Sequence, residues 1–142
     1  MKLTRLLLLI PILLVACSDP YGACEKAAAD IGTSIGGAMT TVDQLRVSGQ
    51  ITPQEETSVL GFLKFANDAN GAFGVCAQQA HNAGSKAGAY TACAATFQTT
   101  LSNPTELALI HVNNAQAQAT IQTVVAGVNT GITAVITVLG GK

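Results

Sequence analysis

The stretch Thr52–Gly84, TPQEETSVLGFLKFANDANGAFGVCAQQAHNAG, decides the fold. Its first four residues, Thr-Pro-Gln-Glu, form a capping box, because the Thr hydroxyl and the Glu carboxylate can each accept a backbone N–H that a helix start leaves unpaired. Proline at the first helical position fits the same start. Small or apolar residues then recur in steps of three and four, at Val59, Phe62, Ala66, Ala69, Phe73, Cys76 and Ala80. This spacing predicts one long helix that buries a single stripe and ends near Gly84.

The same signals are found on both sides of this stretch. Asp19-Pro20 predicts the start of a first helix, Gly49 is placed to end it, and Asn103–Glu106 (NPTE) predicts the start of a last one. Stripes with the same steps run through Cys24, Ala28, Ile31, Ile35, Ala38, Val42 and Leu45, through Tyr90, Cys93, Phe97 and Leu101, and through Leu107, Ile110, Ala117, Ile121, Val124, Val128 and Val135. The chain is therefore predicted to be all-α, a small antiparallel bundle of three to four helices, rich in Ala and Gly, that forms a single domain over residues 17–142.

The composition excludes two classes of protein. Of the 142 residues, hydrophobic types make up 49% and charged types 11%, which is the opposite of the balance in disordered chains. Seven Lys and Arg stand against eight Asp and Glu, so the chain has no basic field with which to bind nucleic acid.

The first 17 residues, MKLTRLLLLIPILLVAC, have the pattern of an export leader. Lys2 and Arg5 are its basic part, and the apolar run Leu6–Val15 is too short to span a bilayer, which needs about 20 residues. The residues Leu14–Cys17, LVAC, resemble the lipobox of bacterial lipoproteins. This resemblance implies a signal peptide over residues 1–16, diacylglycerol transfer to the Cys17 thiol, cleavage before that cysteine and acylation of the new amine. An ordinary secretory leader that ends near a cysteine is the alternative.

The lipobox resemblance also implies where the protein resides. Acyl chains on Cys17 would exceed the two signals that stable anchoring needs, so the mature protein is expected in the cell envelope, held on a membrane and facing the periplasm or the exterior. Ser18, rather than Asp, follows the cysteine, which resembles outer-membrane sorting in enterobacteria. The covalent lipid is the only cofactor expected.

Three further cysteines, Cys24, Cys76 and Cys93, are predicted to lie at about one level of the bundle, because each helix turn is equidistant from a pair of them. In an oxidising compartment two of them should pair, and the tight turn near Gly84 favours Cys76 with Cys93. Cys24 remains an alternative partner for either. The three thiolates with His111 could instead form a tetrahedral metal site. Their spacings resemble no zinc pattern, so no metal site is predicted.

Three features could carry chemistry. Gly32–Gly36, GTSIG, matches the G-x-S-x-G nucleophile elbow, but that motif needs a strand-to-helix turn, whereas this stretch lies in a helical stripe. Asp68–Gly71, DANG, hints at a calcium loop, but Gln79 occupies the place of its last carboxylate. Glu55 and Glu56 lie in a first helical turn, where carboxylates complement the helix dipole. The protein is therefore predicted not to be an enzyme, and no small-molecule substrate is evident.

Residues 107–141 contain no Asp, Glu, Lys or Arg. If the last helix turns back at Pro104, it regains the membrane end of the bundle near residue 121, and residues 121–141 then approach the length of a bilayer span. Gly127 and Gly131 add a G-x-x-x-G pair, which packs helices closely in membranes. Several polar side chains argue against insertion: Gln122, Asn129, Thr123, Thr130, Thr133 and Thr137. The alternative is a long or broken helix buried by its neighbours.

Two functions follow as expectations. The first is a non-catalytic envelope lipoprotein, a structural or interaction module tethered through Cys17, whose partners are the membrane and another envelope protein or a second copy of itself. The second is a membrane-active or self-assembling protein whose C-terminal helix, at about residues 121–141, inserts into or packs at the membrane. A mature chain that stays monomeric without detergent would argue against the second.

Overall fold

A computed structural model of the chain describes residues 19–102 and 113–140. Every regular element in these two ranges is an α-helix, which confirms the all-α prediction. The helices are α1 (Pro20–Val47), α2 (Pro53–Asn82), α3 (Ala87–Leu101) and α4 (Ala115–Gly140). The predicted leader with Cys17, the predicted helix start at Pro104 and His111 lie outside the described residues.

The starts of α1 and α2 are formed by the residues that predicted them. At α1, the Asp19 carboxylate accepts a hydrogen bond of 2.7 Å from the backbone N–H three residues later. At α2, the Thr52 hydroxyl accepts from the Glu55 N–H at 3.2 Å, and the Glu55 carboxylate accepts from the Thr52 N–H at 2.9 Å, so the capping box is complete. Gly49 and Gly84 follow the ends of these helices with φ of 72° and 62°, a conformation that glycine adopts most readily.

The four described helices pack side by side. α1 contacts α2 and α4, and α3 contacts the same two helices, whereas α1 and α3 meet only weakly across the centre. Two short turns reverse the chain between α1, α2 and α3. α4 runs antiparallel to α1, because Asn114, just before the start of α4, donates to the Gln50 carbonyl in the turn that follows α1, while Gly131, in the second half of α4, lies against Ile31 in the first half of α1.

This arrangement has two ends that carry different groups. The near end is formed by the first turns of α1 and α3 and the last turns of α2 and α4, and the far end by the α1–α2 turn and the start of α4. At the near end, the Tyr21 ring stacks on His81 with 4.3 Å between centroids, and its hydroxyl donates to Gln78 Oε1 at 2.5 Å. Because Pro20 begins α1, Cys17 precedes the near end by three residues of sequence.

The core is formed by the predicted stripes. Ile35 of α1, Val59 of α2 and Ile132 of α4 are almost fully buried, and α4 also buries Val135 and Leu139. Aromatic side chains join α2 to α3, since Phe73 stacks on Phe97 with 5.5 Å between ring centroids. All four helices therefore share one apolar interior.

The prediction that the last helix regains the near end by residue 121 is wrong. α4 begins at Ala115 beside the far end, so residue 121 lies only about 9 Å along it. That prediction needs a helix that runs on from Pro104 without a break, but Asn113 and Asn114 are not helical, and α4 begins only after them. Within the described ranges, no helix is long and apolar enough to cross a membrane.

Candidate interaction site

The structure joins Cys76 of α2 to Cys93 of α3 by a disulfide, the pairing that the tight turn between these helices favoured. Their Cα atoms are 5.8 Å apart. Cys24 is free and fully buried, and burial raises the pKa of its thiol to about 11. It is therefore a neutral, unreactive thiol near pH 7. Among the residues that the structure describes, no group of three or more His, Cys, Asp or Glu side chains could hold a metal ion.

The other motifs with possible chemistry lie inside helices. Gly32–Gly36 is a continuous part of α1, and the Ser34 hydroxyl donates to the Asp30 carbonyl at 3.0 Å. The strand-to-helix turn that a nucleophile elbow requires is therefore not formed by this stretch. Asp68 lies within α2, where its carboxylate pairs with the Lys64 ammonium at 2.8 Å instead of facing a loop.

Asn70 has a role that the sequence did not reveal. It is a buried polar residue on α2, 8% exposed, and its Nδ2 donates to the Ala28 carbonyl of α1 at 2.9 Å. Its Oδ1 is buried and has no hydrogen-bond partner among the described residues. Gly32 of α1 lies beside this side chain, and a Cβ there would meet the Asn70 amide nitrogen at an ordinary contact distance of 3.5 Å. Asn70 therefore ties α1 to α2 at one register.

The far end contains a second polar tie, centred on Glu55. One carboxylate oxygen accepts from Thr52, and the other accepts from the Asn113 N–H at 2.8 Å. These hydrogen bonds, first from the Thr52 N–H and then from the Asn113 N–H, lower the pKa of Glu55. The same carboxylate therefore caps α2 and holds the segment that leads into α4.

The exposed surface of α3 and α4 differs in chemistry from that of α1 and α2. After Lys86, no described residue carries a charge. We call the exposed surface of these two neighbouring helices the uncharged face, and its members are small or polar side chains: Ala92, Ala95, Thr96, Thr99, Gln122, Thr123, Ala126, Thr130, Thr133 and Thr137. Charged side chains are depleted at the centres of protein–protein interfaces, so this composition fits a surface that another protein covers.

The threonines of the uncharged face already use their hydroxyl protons. Thr96 and Thr99 of α3 donate to the carbonyls of Ala92 and Ala95, both at 2.9 Å. The four exposed threonines of α4 donate in the same way, each at 2.8 Å: Thr123, Thr130, Thr133 and Thr137. Burial of an unpaired donor costs free energy, whereas these donors keep their partners when water is removed. Covering the uncharged face with a partner would therefore cost little free energy for desolvation of these hydroxyl groups.

A groove runs along the seam between α1 and α4 at the near end, with a volume of about 220 Å³. We call it the α1–α4 groove. Small and aliphatic side chains line most of it: Gly22, Ala23, Ala27 and Ile31 from α1, and Gly127, Gly131, Ala134 and Val135 from α4. At Gly127, one of the lining residues, nothing lies within 4 Å of the position where a Cβ would be, so a side chain there has room to enter the groove.

The polar residues at the edge of the α1–α4 groove are Lys26, Asp30 and Ser34. Lys26 and Asp30 pair with each other at 2.9 Å, and the Ser34 hydroxyl donates to a backbone carbonyl of α1. Lys26 and Asp30 therefore satisfy each other, and the backbone satisfies Ser34, so the groove offers an apolar surface with a paired polar edge.

A scan against protein-family models and searches of curated proteins and of solved structures find no match to this chain. The candidate surfaces are therefore argued from its own residues. The groove could not be predicted from the sequence, because it forms only where α1 and α4 pack side by side. The one signal in the sequence was the pair Gly127 and Gly131. Gly131 lies at the contact between α4 and α1, where a Cβ would meet the Ile31 side chain at an ordinary contact distance of 3.5 Å.

Proposed function

We propose that the protein is a lipid-anchored lipoprotein of the bacterial cell envelope, and that its helical domain is a non-catalytic interaction module. The anchor is Cys17, and the partner is another envelope protein or a second copy of the chain, bound through the uncharged face. The observation that carries this proposal is the separation of charge. Apart from Lys86, which precedes α3, the described ionic side chains lie on or beside α1 and α2, and neither α3 nor α4 contains one.

The disulfide supports a location outside the cytoplasm. Cystines persist in oxidising compartments and are rare where thiols are kept reduced. The Cys76–Cys93 bond is therefore consistent with the export that the leader implies. Cys24, which lies in the core, gives no competing thiol at the surface.

The near end supports an orientation on the membrane. Tyr21 is half-buried in the first turn of α1, and Lys86 is exposed just before α3. Tyrosine and lysine suit the boundary between lipid and water. With Cys17 three residues before α1, this end would rest on the headgroups, and the uncharged face would extend sideways from the membrane.

The packing of α4 favours an anchored module over membrane insertion of that helix. Ile132, Val135 and Leu139 are buried against the other helices. Insertion would have to remove these side chains from the core, whereas binding through the uncharged face leaves them in place. No catalytic step is proposed.

The anchor is tested by mass spectrometry of the protein purified from its native membrane, before and after reduction and alkylation. The expected mass corresponds to a chain that begins at acylated Cys17, with two of the remaining three thiols unavailable until reduction. An unacylated chain with three free thiols would refute both the anchor and the disulfide argument.

The interaction surface is tested by photo-crosslinking in intact cells. A photoreactive residue replaces Thr130 on the uncharged face or, as the matched control, Thr33 on the outer side of α1; both are exposed threonines whose hydroxyls donate to a helical carbonyl. We expect one discrete adduct from position 130, none from position 33, and loss of the adduct when Thr133→Glu places a charge one turn away. Equal yields at both positions would contradict the proposal.

A further inference from the structure

The α1–α4 groove has the shape of a site for a thin, elongated ligand. Its lining on α1 runs from Gly22 to Ser34, a distance of about 18 Å along the helix. One leaflet of a bilayer, half of a hydrocarbon core about 30 Å thick, is about 15 Å deep. The groove is therefore about as long as one lipid acyl chain.

The chemistry of the α1–α4 groove selects the same class of ligand. Glycine, alanine and branched aliphatic side chains form its walls, and the ionic groups at its edge, Lys26 and Asp30, are paired with each other. The Ser34 hydroxyl already donates to the backbone. A polar ligand would have to break these bonds, whereas a hydrocarbon chain displaces water from apolar walls without breaking them.

The chain itself carries such a ligand close to the groove, if Cys17 is acylated as proposed above. Cys17 precedes Asp19 by two residues, which reach at most about 7 Å when extended. Asp19 caps α1 by accepting the N–H of Gly22 at 2.7 Å, and Gly22 is the first residue of the groove lining. The attachment point therefore lies within one short extended segment of the groove mouth.

We propose that one acyl chain of Cys17 lies in the α1–α4 groove of the same molecule while the lipoprotein is outside a bilayer. The inference rests on the proposed lipid anchor. The groove is open along one side and covers only part of a hydrocarbon chain, whereas a bilayer surrounds the chain completely. The acyl chain accordingly leaves the groove when a membrane is present. The groove therefore shields the acyl chain from water while the protein moves between membranes.

The test attaches a single chain chemically. In the unacylated chain from residue 17 to 142, which contains every described helix, Cys17 is the thiol open to alkylation, because Cys76 and Cys93 form a disulfide and Cys24 is buried. Cys17 is alkylated with a hexadecyl maleimide that carries a nitroxide at the far end of its chain. We expect selective broadening of the amide NMR signals of groove residues such as Gly131 and Ala134, and recovery of these signals when small, fast-tumbling phosphatidylethanolamine–phosphatidylglycerol bicelles are added.

Two variants separate the groove from the rest of the surface. Gly127→Leu places a side chain into the groove, and Gly71→Leu adds the same side chain to an exposed, open position on α2. The broadening should disappear in the first variant and persist in the second. Far-UV circular dichroism checks that both variants are folded, and if Gly127→Leu is not, Ala134→Met takes its place.

Three outcomes would overturn the inference: broadening spread evenly over the surface, broadening that survives Gly127→Leu, and broadening that arises between molecules. Broadening between molecules is detected in a mixture of isotope-labelled protein that has no hydrocarbon chain and unlabelled protein that carries the nitroxide-tagged hydrocarbon chain. Because the chain is attached chemically, these results do not depend on acylation in the cell. Failure of the groove and failure of the anchor are therefore read from separate experiments.

Discussion

The pair α1–α2 and the pair α3–α4 contribute to the same core but present opposite surfaces. The three described ion pairs all lie on α1 and α2: Lys26–Asp30, Arg46–Glu56 and Lys64–Asp68. Both helices also start with a side-chain cap, whereas Lys86, the N-cap residue of α3, makes no such bond. Exposed ion pairs contribute little to stability, so the charges are not what holds the fold together.

This difference shows that the number of charged residues on a helix does not indicate how deeply that helix is packed into the core. α4 has no charged residue, yet Ile132 is as buried as Leu63 on the charged pair, with exposed fractions of 1% and 0%. The absence of charge therefore does not mark α4 as a segment outside the fold. It marks the part of the described surface that has no charged side chain, which is where we propose that the partner binds.

The largest expected loss of stability comes from removing one core side chain in each pair of helices. Leu63→Ala on α2 and Ile132→Ala on α4 should each lower the free energy of unfolding by about 2–5 kcal/mol, because each leaves a cavity among fully buried side chains. Urea denaturation of the mature chain without detergent measures both. If Ile132→Ala left the midpoint unchanged while Leu63→Ala lowered it, α4 would not belong to the folded core, and the membrane-insertion alternative would gain support.

The disulfide is the covalent link between the two pairs, since Cys76 is on α2 and Cys93 on α3. Replacing both by Ala should destabilise the protein by about 3 kcal/mol, the value expected for closing a loop of similar length. The bond spans 17 residues of sequence. Thermal unfolding should show the same loss when the wild-type protein is reduced, and reductant should not affect the double variant further. If the single variant Cys93→Ala remained sensitive to reductant, Cys24 would have taken over as the partner of Cys76.

The sequence predicted α1 and α2 well because their signals are local. Asp19-Pro20 and the Thr52–Glu55 box each act within one turn, and both are formed as predicted. α4 was less predictable, because its start depends on Asn113 and Asn114, whose contacts are with Glu55 and Gln50 across the molecule. A contact between residues far apart in sequence leaves no periodic trace.

The candidate site was predictable only in part, for the same reason. The pairing of Cys76 with Cys93 followed from a tight turn, and the lack of charge on α4 could be read directly. The α1–α4 groove and the hydrogen bond from Asn70 to Ala28 could not be predicted, because each requires two helices to pack in one particular register. Asn70 lay in a stretch that resembled a calcium loop, and only the packing shows that it points at the Ala28 carbonyl.

Capping offers a smaller test of the contrast between the pairs. Thr52→Ala should destabilise the protein by about 1 kcal/mol, because it removes the side-chain acceptor of α2. Lys86 has the extended backbone of an N-cap residue, φ −77° and ψ 166°, but its side chain makes no capping bond. Lys86→Asp should therefore stabilise by up to about 1 kcal/mol. Lys86→Ala separates the new cap from loss of the positive charge, and an equal gain in both variants would refute the capping explanation.

The smallest effect concerns pH and the one carboxylate that joins the pairs at the far end. Glu55 has a lowered pKa in the folded protein, because the N–H groups of Thr52 and Asn113 donate to its ionised form. A lowered folded pKa contributes stability that is present above the unfolded value and is lost as the pH falls through the folded value. The ordinary value is 4.5, so this loss should begin near there and continue below it.

Urea unfolding between about pH 6 and about pH 3 should therefore show a steeper decline for the wild type than for Glu55→Gln, which cannot ionise. The single amide oxygen of the variant can keep only one of the two hydrogen bonds, from Thr52 or from Asn113, so its stability also falls at every pH. The slope of stability against pH, and not its absolute level, therefore reports the charge. Glu25→Gln is the matched control, because Glu25 is exposed on α1. If the control flattened the profile as much as Glu55→Gln does, the decline would belong to the acidic surface of α1 and α2 as a whole, and Glu55 would not be the link that ties the charged pair to the uncharged one.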